Sequence, residues 1–213
     1  MISMPPAVLI PLQNSAWGFN IRRPWRPYVD LIFLLCVCAL SGCGVTPHAN
    51  PNIAFIGDSI TNYWSLPATN LGVPGDTTTM MLARFPSEVL GHDYKVVVIL
   101  GGTNDIRNIY ASLDKEVATA IANIGNMAAQ AQKAKLIVVL CSVPPVESAD
   151  EAGRPEALNA QIAKLAKAQG YLYVDYYTPM AGHPEYFKDE LHPNGEGYAV
   201  MKAALEKVVS LTF

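Results

Sequence analysis

Five residues of types that carry out acyl transfer fall, in chain order, just beyond stretches that read as β-strands or in a late loop: Ser59, Gly75, Asn104, Asp189 and His192. A serine hydroxyl is a poor nucleophile until a neighbouring base takes its proton. An imidazole titrates near neutrality, so His192 suits that task and also the return of the proton to a departing alcohol. Asp189, three residues before His192, can hold the imidazole in one tautomer and stabilise its charged form. An oxyanion forming on a carbonyl carbon needs fixed donors. The backbone N–H groups of Ser59 and Gly75 and the side-chain amide of Asn104 can supply three.

Each of these signals is weak alone. Gly57-Asp58-Ser59 consists of residue types that ordinary turns favour. Its context is what raises it. A polar, proline-containing lead (His48 to Asn52) runs into apolar Ile53 to Ile56, and the chain then turns at Gly57 and presents Ser59 and Thr61. A buried first strand of a parallel sheet delivers a residue to its carboxyl edge in this way, where open α/β folds keep their sites.

The remaining elements support that edge. Asn70 to Thr77 reads as a short strand entering a glycine turn. Asp76 or Thr77 is then placed to cap a helix with Met81, Leu82 and Phe85 at helical spacing, and Pro86 is expected to break it and start another turn of helix. Lys95 to Leu100 is almost wholly β-branched and apolar, as a strand covered on both faces should be, and it ends in Gly101-Gly102-Thr103-Asn104-Asp105. Residues 112–133 carry an apolar stripe of Leu113, Val117, Ile121, Ile124 and Ala128. Leu136 to Cys141 reads as a fourth strand, Ser142 to Pro155 as a long loop, and Ala157 to Ala168 as a helix with Gly170 at its C-terminal cap. Tyr171 to Asp175 is a fifth strand, followed by a loop over 176–193 and a last helix with Tyr198, Met201, Leu205 and Val208 on one side. Alternation of strand and helix predicts an α/β fold: a three-layer α/β/α sandwich, flavodoxin-like, with a five-stranded parallel sheet. All five chemical residues then lie at one sheet edge.

Competing residues have plainer readings. Asp58 and Asp105 suit turn bracing. His183, in Ala181-Gly182-His183-Pro184, is the rival base but has no acidic residue three positions before it, and His92 and His48 read as surface loop residues. Tyr63, Trp64 and Met81 could line a pocket, although such side chains are more often core.

Composition limits the class. The 213 residues are 51% hydrophobic and 15% charged with a formal charge of −3, which suits a globular domain and gives no basic excess for nucleic acid. Cys and His do not occur at metal-ligand spacing, and the chemistry above calls for no metal or cofactor. At the N-terminus Arg22, Arg23 and Arg26 precede the ten-residue apolar run Leu31 to Leu40, then Ser41-Gly42-Cys43. This is the pattern of an export signal, and ten residues fall short of the roughly 20 of a spanning helix. Leu40-Ser41-Gly42-Cys43 resembles the lipobox of bacterial lipoproteins, which implies cleavage before Cys43, lipid attached to its thiol, and a location in the cell envelope, on the periplasmic side of a membrane; a plain secretory signal or an uncleaved anchor are the alternatives. About thirty residues before the apolar run is long for a signal, so the start of translation is open. The expected organisation is 1–42 signal, 43–51 tether and 52–213 catalytic domain. Cleavage would remove Arg22, Arg23, Arg26 and Asp30, taking the formal charge from −3 to −5, and leave Cys141 as the one thiol of the folded body, read as buried and structural.

Four blocks, in order, resemble the SGNH (GDSL-type) hydrolase family: Gly57-Asp58-Ser59, Gly75-Asp76-Thr77, Gly101 to Asp105, and Asp189-Glu190-Leu191-His192-Pro193. Ile60 stands where the family nickname has leucine. The resemblance implies Ser59 as nucleophile, Gly75 (preferred to Gly72) and Asn104 as oxyanion donors, and Asp189 with His192 completing a triad. It further implies a serine esterase acting on acetyl, short acyl or single-chain lipid esters, as in lysophospholipase-like and platelet-activating-factor-acetylhydrolase-like members, or on acetylated carbohydrates. An acyltransferase on the same triad, or a non-catalytic envelope binding protein on the same fold, are the competing classes.

Overall fold

The computed structural model describes residues 50–66 and 68–209. The expected signal, Cys43 and His48 lie outside the described residues, and among these no helix is long and apolar enough to cross a membrane.

The elements follow the expected alternation. They are β1 (Asn50–Gly57), α1 (Ser59–Asn62), β2 (Ala68–Gly72), α2 (Thr78–Phe85), β3 (Val96–Leu100), α3 (Leu113–Lys133), β4 (Ile137–Cys141), α4 (Arg154–Gln169), β5 (Leu172–Val174) and α5 (Gly195–Glu206). All strand pairings are parallel and the spatial order is β2-β1-β3-β4-β5. The fold is therefore an α/β doubly wound sandwich with the flavodoxin-like strand order. After β2 the chain returns across β1 to β3, so the topological switch point lies at the carboxyl end of β1.

Right-handed crossovers put the helices after β2, β3 and β4 on one face. There α2 packs on α3 and α3 on α4. By the same rule α1 lies on the other face, where α5 meets it: Tyr198 of α5 stacks on Trp64 with ring centroids 5.6 Å apart, and its hydroxyl donates to the Ile60 carbonyl at 2.8 Å. Sheet residues Phe55, Ile56, Val97, Ile99, Val139 and Leu140 are buried between the layers. Apolar side chains on both strand faces are what a sheet covered on both sides requires.

Several boundaries differ from expectation for local reasons. β1 starts at Asn50, which pairs with Ala68, so the last two residues of the expected tether belong to the sheet. Pro86 ends α2 and starts another turn of helix, as read: α2 stops at Phe85, and a π-helical turn follows over Pro86–Leu90. Pro155 lies in the first turn of α4 rather than in the preceding loop, since a first-turn proline forfeits no helical hydrogen bond. Gly170 caps α4 in the left-handed conformation, as read. Met81 is wholly buried against Gly101 and is core rather than pocket lining.

Candidate active site

The turn carrying Ser59 is built by its neighbours. A Cβ on Gly57 would lie 2.3 Å from the Leu100 carbonyl oxygen and 2.1 Å from Thr61 Oγ1, so β1 can end this close to β3 only with glycine there. Asp58 then caps α1, accepting from the Ile60 N–H at 2.9 Å. That one-turn helix, which sequence periodicity is too short to reveal, starts at Ser59 itself. The Ser59 N–H is thus a first-turn donor without an intrahelical acceptor, and no protein group among the described residues claims it. Asp58 Oδ2 is buried without a partner among the described residues, and burial pushes the carboxyl up to about 7, helped by the charges of Asp105 and Asp76.

The structure brings Ser59, His192 and Asp189 together across 133 residues of chain. Ser59 Oγ lies 3.0 Å from His192 Nε2, and His192 Nδ1 lies 2.9 and 3.0 Å from the two oxygens of Asp189. A carboxylate can only accept, so Nδ1 carries the proton and Nε2 presents a lone pair to the serine hydroxyl. Asp189 is locked in place by its own loop, its Oδ1 accepting from the Leu191 and His192 N–H groups at 2.9 and 2.7 Å. Its desolvation opposes ionisation but is outweighed by these two N–H bonds and by the imidazole, which hold the carboxyl down to about 2. An antiparallel bridge between Phe187 and Pro193 and a bond from the Lys188 N–H to the His192 carbonyl (2.9 Å) close the loop.

Gly75 and Asn104 sit in the turns after β2 and β3. Gly75 has φ +84°, open space where a Cβ would be, and an N–H unclaimed among the described residues. Gly72, its rival, is part of β2, where a Cβ would meet the Asn62 backbone at 2.2 Å. Asn104 donates one amide hydrogen to the Asp76 carbonyl at 2.9 Å, which orients the side chain and leaves its second hydrogen available. Three uncommitted N–H donors thus stand in the turns that follow β1, β2 and β3. Asp105 braces this edge, accepting from the Thr78 N–H at 2.8 Å and from its hydroxyl.

Sequence reasoning missed Arg84. From α2 its Nε donates to Asp76 at 2.7 Å, its Nη1 to Glu88, and its Nη2 to the Gly57 carbonyl at 2.9 Å. One guanidinium therefore ties the Ser59 turn to the Gly75 turn. The only hint in the sequence is Arg84 four residues before Glu88 on a helix whose buried side is apolar. His183, by contrast, is exposed, pairs with Glu185 at 2.8 Å and stacks on Tyr186. Cys141 is buried, and burial pushes its thiol up to about 12.

Two concavities flank the cluster. One, of about 310 Å³, is lined on the Asn104 side by Thr77, Asp105, Ala111, Ser112 and Thr119 among others. The other, a groove of about 600 Å³, runs on the His192 side between Tyr63, Trp64 and the start of α5. Val73, Met80, Ile109 and Tyr110, exposed and apolar, follow β2 and β3 on the same edge.

Comparison with known proteins accords with this geometry. The sequence model of the GDSL-like Lipase/Acylhydrolase family matches residues 40–200. A GDSL-like lipase of Bacteroides thetaiotaomicron is 31% identical, with a TM-score of 0.65 over 73% of this chain and 85% of its own. A lipolytic protein of the G-D-S-L family from Veillonella parvula (21% identity, TM-score 0.62, 75% and 98% covered) and an acetylxylan esterase of Geobacillus stearothermophilus (16%, 0.63, 75% and 94%) share the fold. No curated protein sequence matches the chain.

Proposed function

Because the chain belongs to the GDSL-like lipase/acylhydrolase family and is an ester hydrolase, we propose that Ser59, His192 and Asp189 are its catalytic triad and that the N–H groups of Ser59, Gly75 and Asn104 form its oxyanion hole. The observation that carries this reading is the continuous chain Asp189–His192–Ser59, with contacts of 2.9 and 3.0 Å. In the first half-reaction Ser59 Oγ bonds to the ester carbonyl carbon while its proton passes to His192 Nε2. The carbonyl oxygen becomes an oxyanion facing the three donors. Collapse breaks the bond to the alcohol oxygen, which takes the proton from His192, and Ser59 is left acylated. Water then repeats the sequence through the same imidazole and releases the acid.

The cavity of about 310 Å³ beside Asn104 suits a short acyl group or the first part of a single alkyl chain. Its size and its position on the oxyanion side support acetyl, short acyl or single-chain lipid esters as substrates. Labelling of Ser59 by a fluorophosphonate, abolished in Ser59→Ala, tests the assignment, and labelling that survives in Ser59→Ala overturns it. A p-nitrophenyl ester series then reads the acyl preference, and kcat/KM on long chains equal to or above that on acetyl rejects the short-acyl reading.

We also propose that the protein is exported and anchored in the cell envelope by lipid on Cys43. The arginine-flanked apolar run Leu31 to Leu40 ending in Ser41-Gly42-Cys43 supports this. Cys43→Ala would move the protein from the membrane fraction to the soluble one, and an unchanged membrane fraction overturns the anchor.

A further inference from the structure

The imidazole that returns a proton to the alcohol must face the alcohol oxygen, so the leaving group departs past His192, away from the oxyanion donors. A groove of about 600 Å³ lies next to His192, lined by its neighbours Tyr63 and Pro193 among others. Tyr63 forms its near wall, with its ring edge-on to the His192 ring at 5.4 Å between centroids. Lys188 Nζ is held over the Tyr63 ring, 4.3 Å from the centroid, and the Lys188 backbone is bonded to the His192 carbonyl.

The charge on Lys188 is uncommitted. Among the described residues no carboxylate lies within salt-bridge distance of it, whereas Lys202, the other lysine lining the groove, is paired with Glu206. The neighbouring Asp189 is engaged by His192 and two backbone N–H groups. An aromatic wall and an unpaired ammonium together favour an anion in this groove, one ring away from the imidazole.

Resting on the triad assignment above, we propose that this groove receives the alcohol half of the ester and that Lys188 is a specificity-determining residue selecting alcohols that carry a phosphate or carboxylate. The two anions present the same feature, negative oxygens a few bonds from the ester. The Tyr63 ring covers the connecting carbons, and Lys188 meets the charge.

The test compares kcat/KM for phenyl acetate, 4-acetoxybenzoate and 4-acetoxyphenyl phosphate. Dividing each anionic ester by the neutral one removes variant-wide changes in catalysis, and comparing that ratio between variants cancels differences in leaving-group reactivity. Lys188→Glu should lower the anionic-to-neutral ratio about tenfold, Lys188→Gln by less, and 0.5 M salt should shrink the wild-type ratio. Lys207→Gln, a charge removed from the surface away from the groove, should leave it unchanged. A fall confined to one of the two anionic esters supports the proposal and identifies that anion as the one read. An unchanged ratio in Lys188→Glu overturns it while phenyl acetate hydrolysis and Ser59 labelling leave the triad standing. Loss of phenyl acetate hydrolysis and of Ser59 labelling in the wild type overturns both.

Discussion

Arg84 Nε donates to Asp76 Oδ2 at 2.7 Å, with both side chains largely buried, and the same guanidinium holds the Gly57 carbonyl at 2.9 Å. Removing one member of a buried pair leaves the other uncompensated, at a cost of about 3 kcal/mol or more. Arg84→Met should therefore lower stability by about that amount in urea unfolding. Arg84→Lys keeps the charge but not the fork. It should recover part of the stability yet still lose about tenfold in kcat with little change in KM, since the Ser59 and Gly75 turns would no longer share a clamp. Full kcat in Arg84→Lys would mean that the clamp does not position the site.

Asp189 is held down to about 2, so it stays ionised at any pH where the enzyme would be assayed. The hydrogen-bonded Asp189 carboxylate stabilises the fold above the unfolded carboxyl value near 4, and this contribution fades as pH falls toward 2. Asp189→Asn keeps an oxygen for the Leu191 and His192 N–H groups but removes the charge facing Nδ1. A fall in kcat of about 10²–10⁴ is expected, with a modest loss of thermal stability at neutral pH that disappears as pH falls toward 2. A change of less than about threefold would count against Asp189 as the third member.

Asn104→Ala removes one proposed oxyanion donor and the bond to the Asp76 carbonyl. A loss of about 10²–10³ in kcat with KM little altered is the expected signature of a donor that acts chiefly on the transition state. A rise in KM alone would instead assign Asn104 to ground-state binding.

Burial raises the Asp58 carboxyl to about 7, above its unfolded value of 3.8. The folded protein then holds a proton that the unfolded chain has released, so stability is full below about pH 4 for this group and declines as pH rises toward 7. Above that it is flat. Asp58→Asn can still accept from the Ile60 N–H and should remove this slope, leaving the variant more stable than wild type at pH 8 by an amount on the order of a few kcal/mol. Parallel stability curves for the two proteins between pH 5 and 8 would refute a buried, proton-binding Asp58.

Much of the site was readable because its parts sit at strand ends. β-Branched runs such as Val96 to Ile99 marked the strands, and the turn after each strand exposed its own unusual residue. The Asp189–His192 pair was readable from spacing alone, since a loop of four residues brings the carboxylate to Nδ1 locally. Pro155 misled at a boundary because proline is tolerated in a first turn, where its missing N–H has no helical partner to lose.

What the sequence determined by itself, then, was local: which segments are strands, which turns carry glycine and polar groups, and that these turns share one edge of a parallel sheet. Only the tertiary structure decided the rest. The 3.0 Å approach of Ser59 to His192, the bond from Arg84 to the Gly57 carbonyl that completes the clamp between two turns, and the Lys188–Tyr63 contact each join residues far apart in the chain. Such contacts depend on how layers pack and loops close rather than on any periodicity along the chain, so no local pattern announces them.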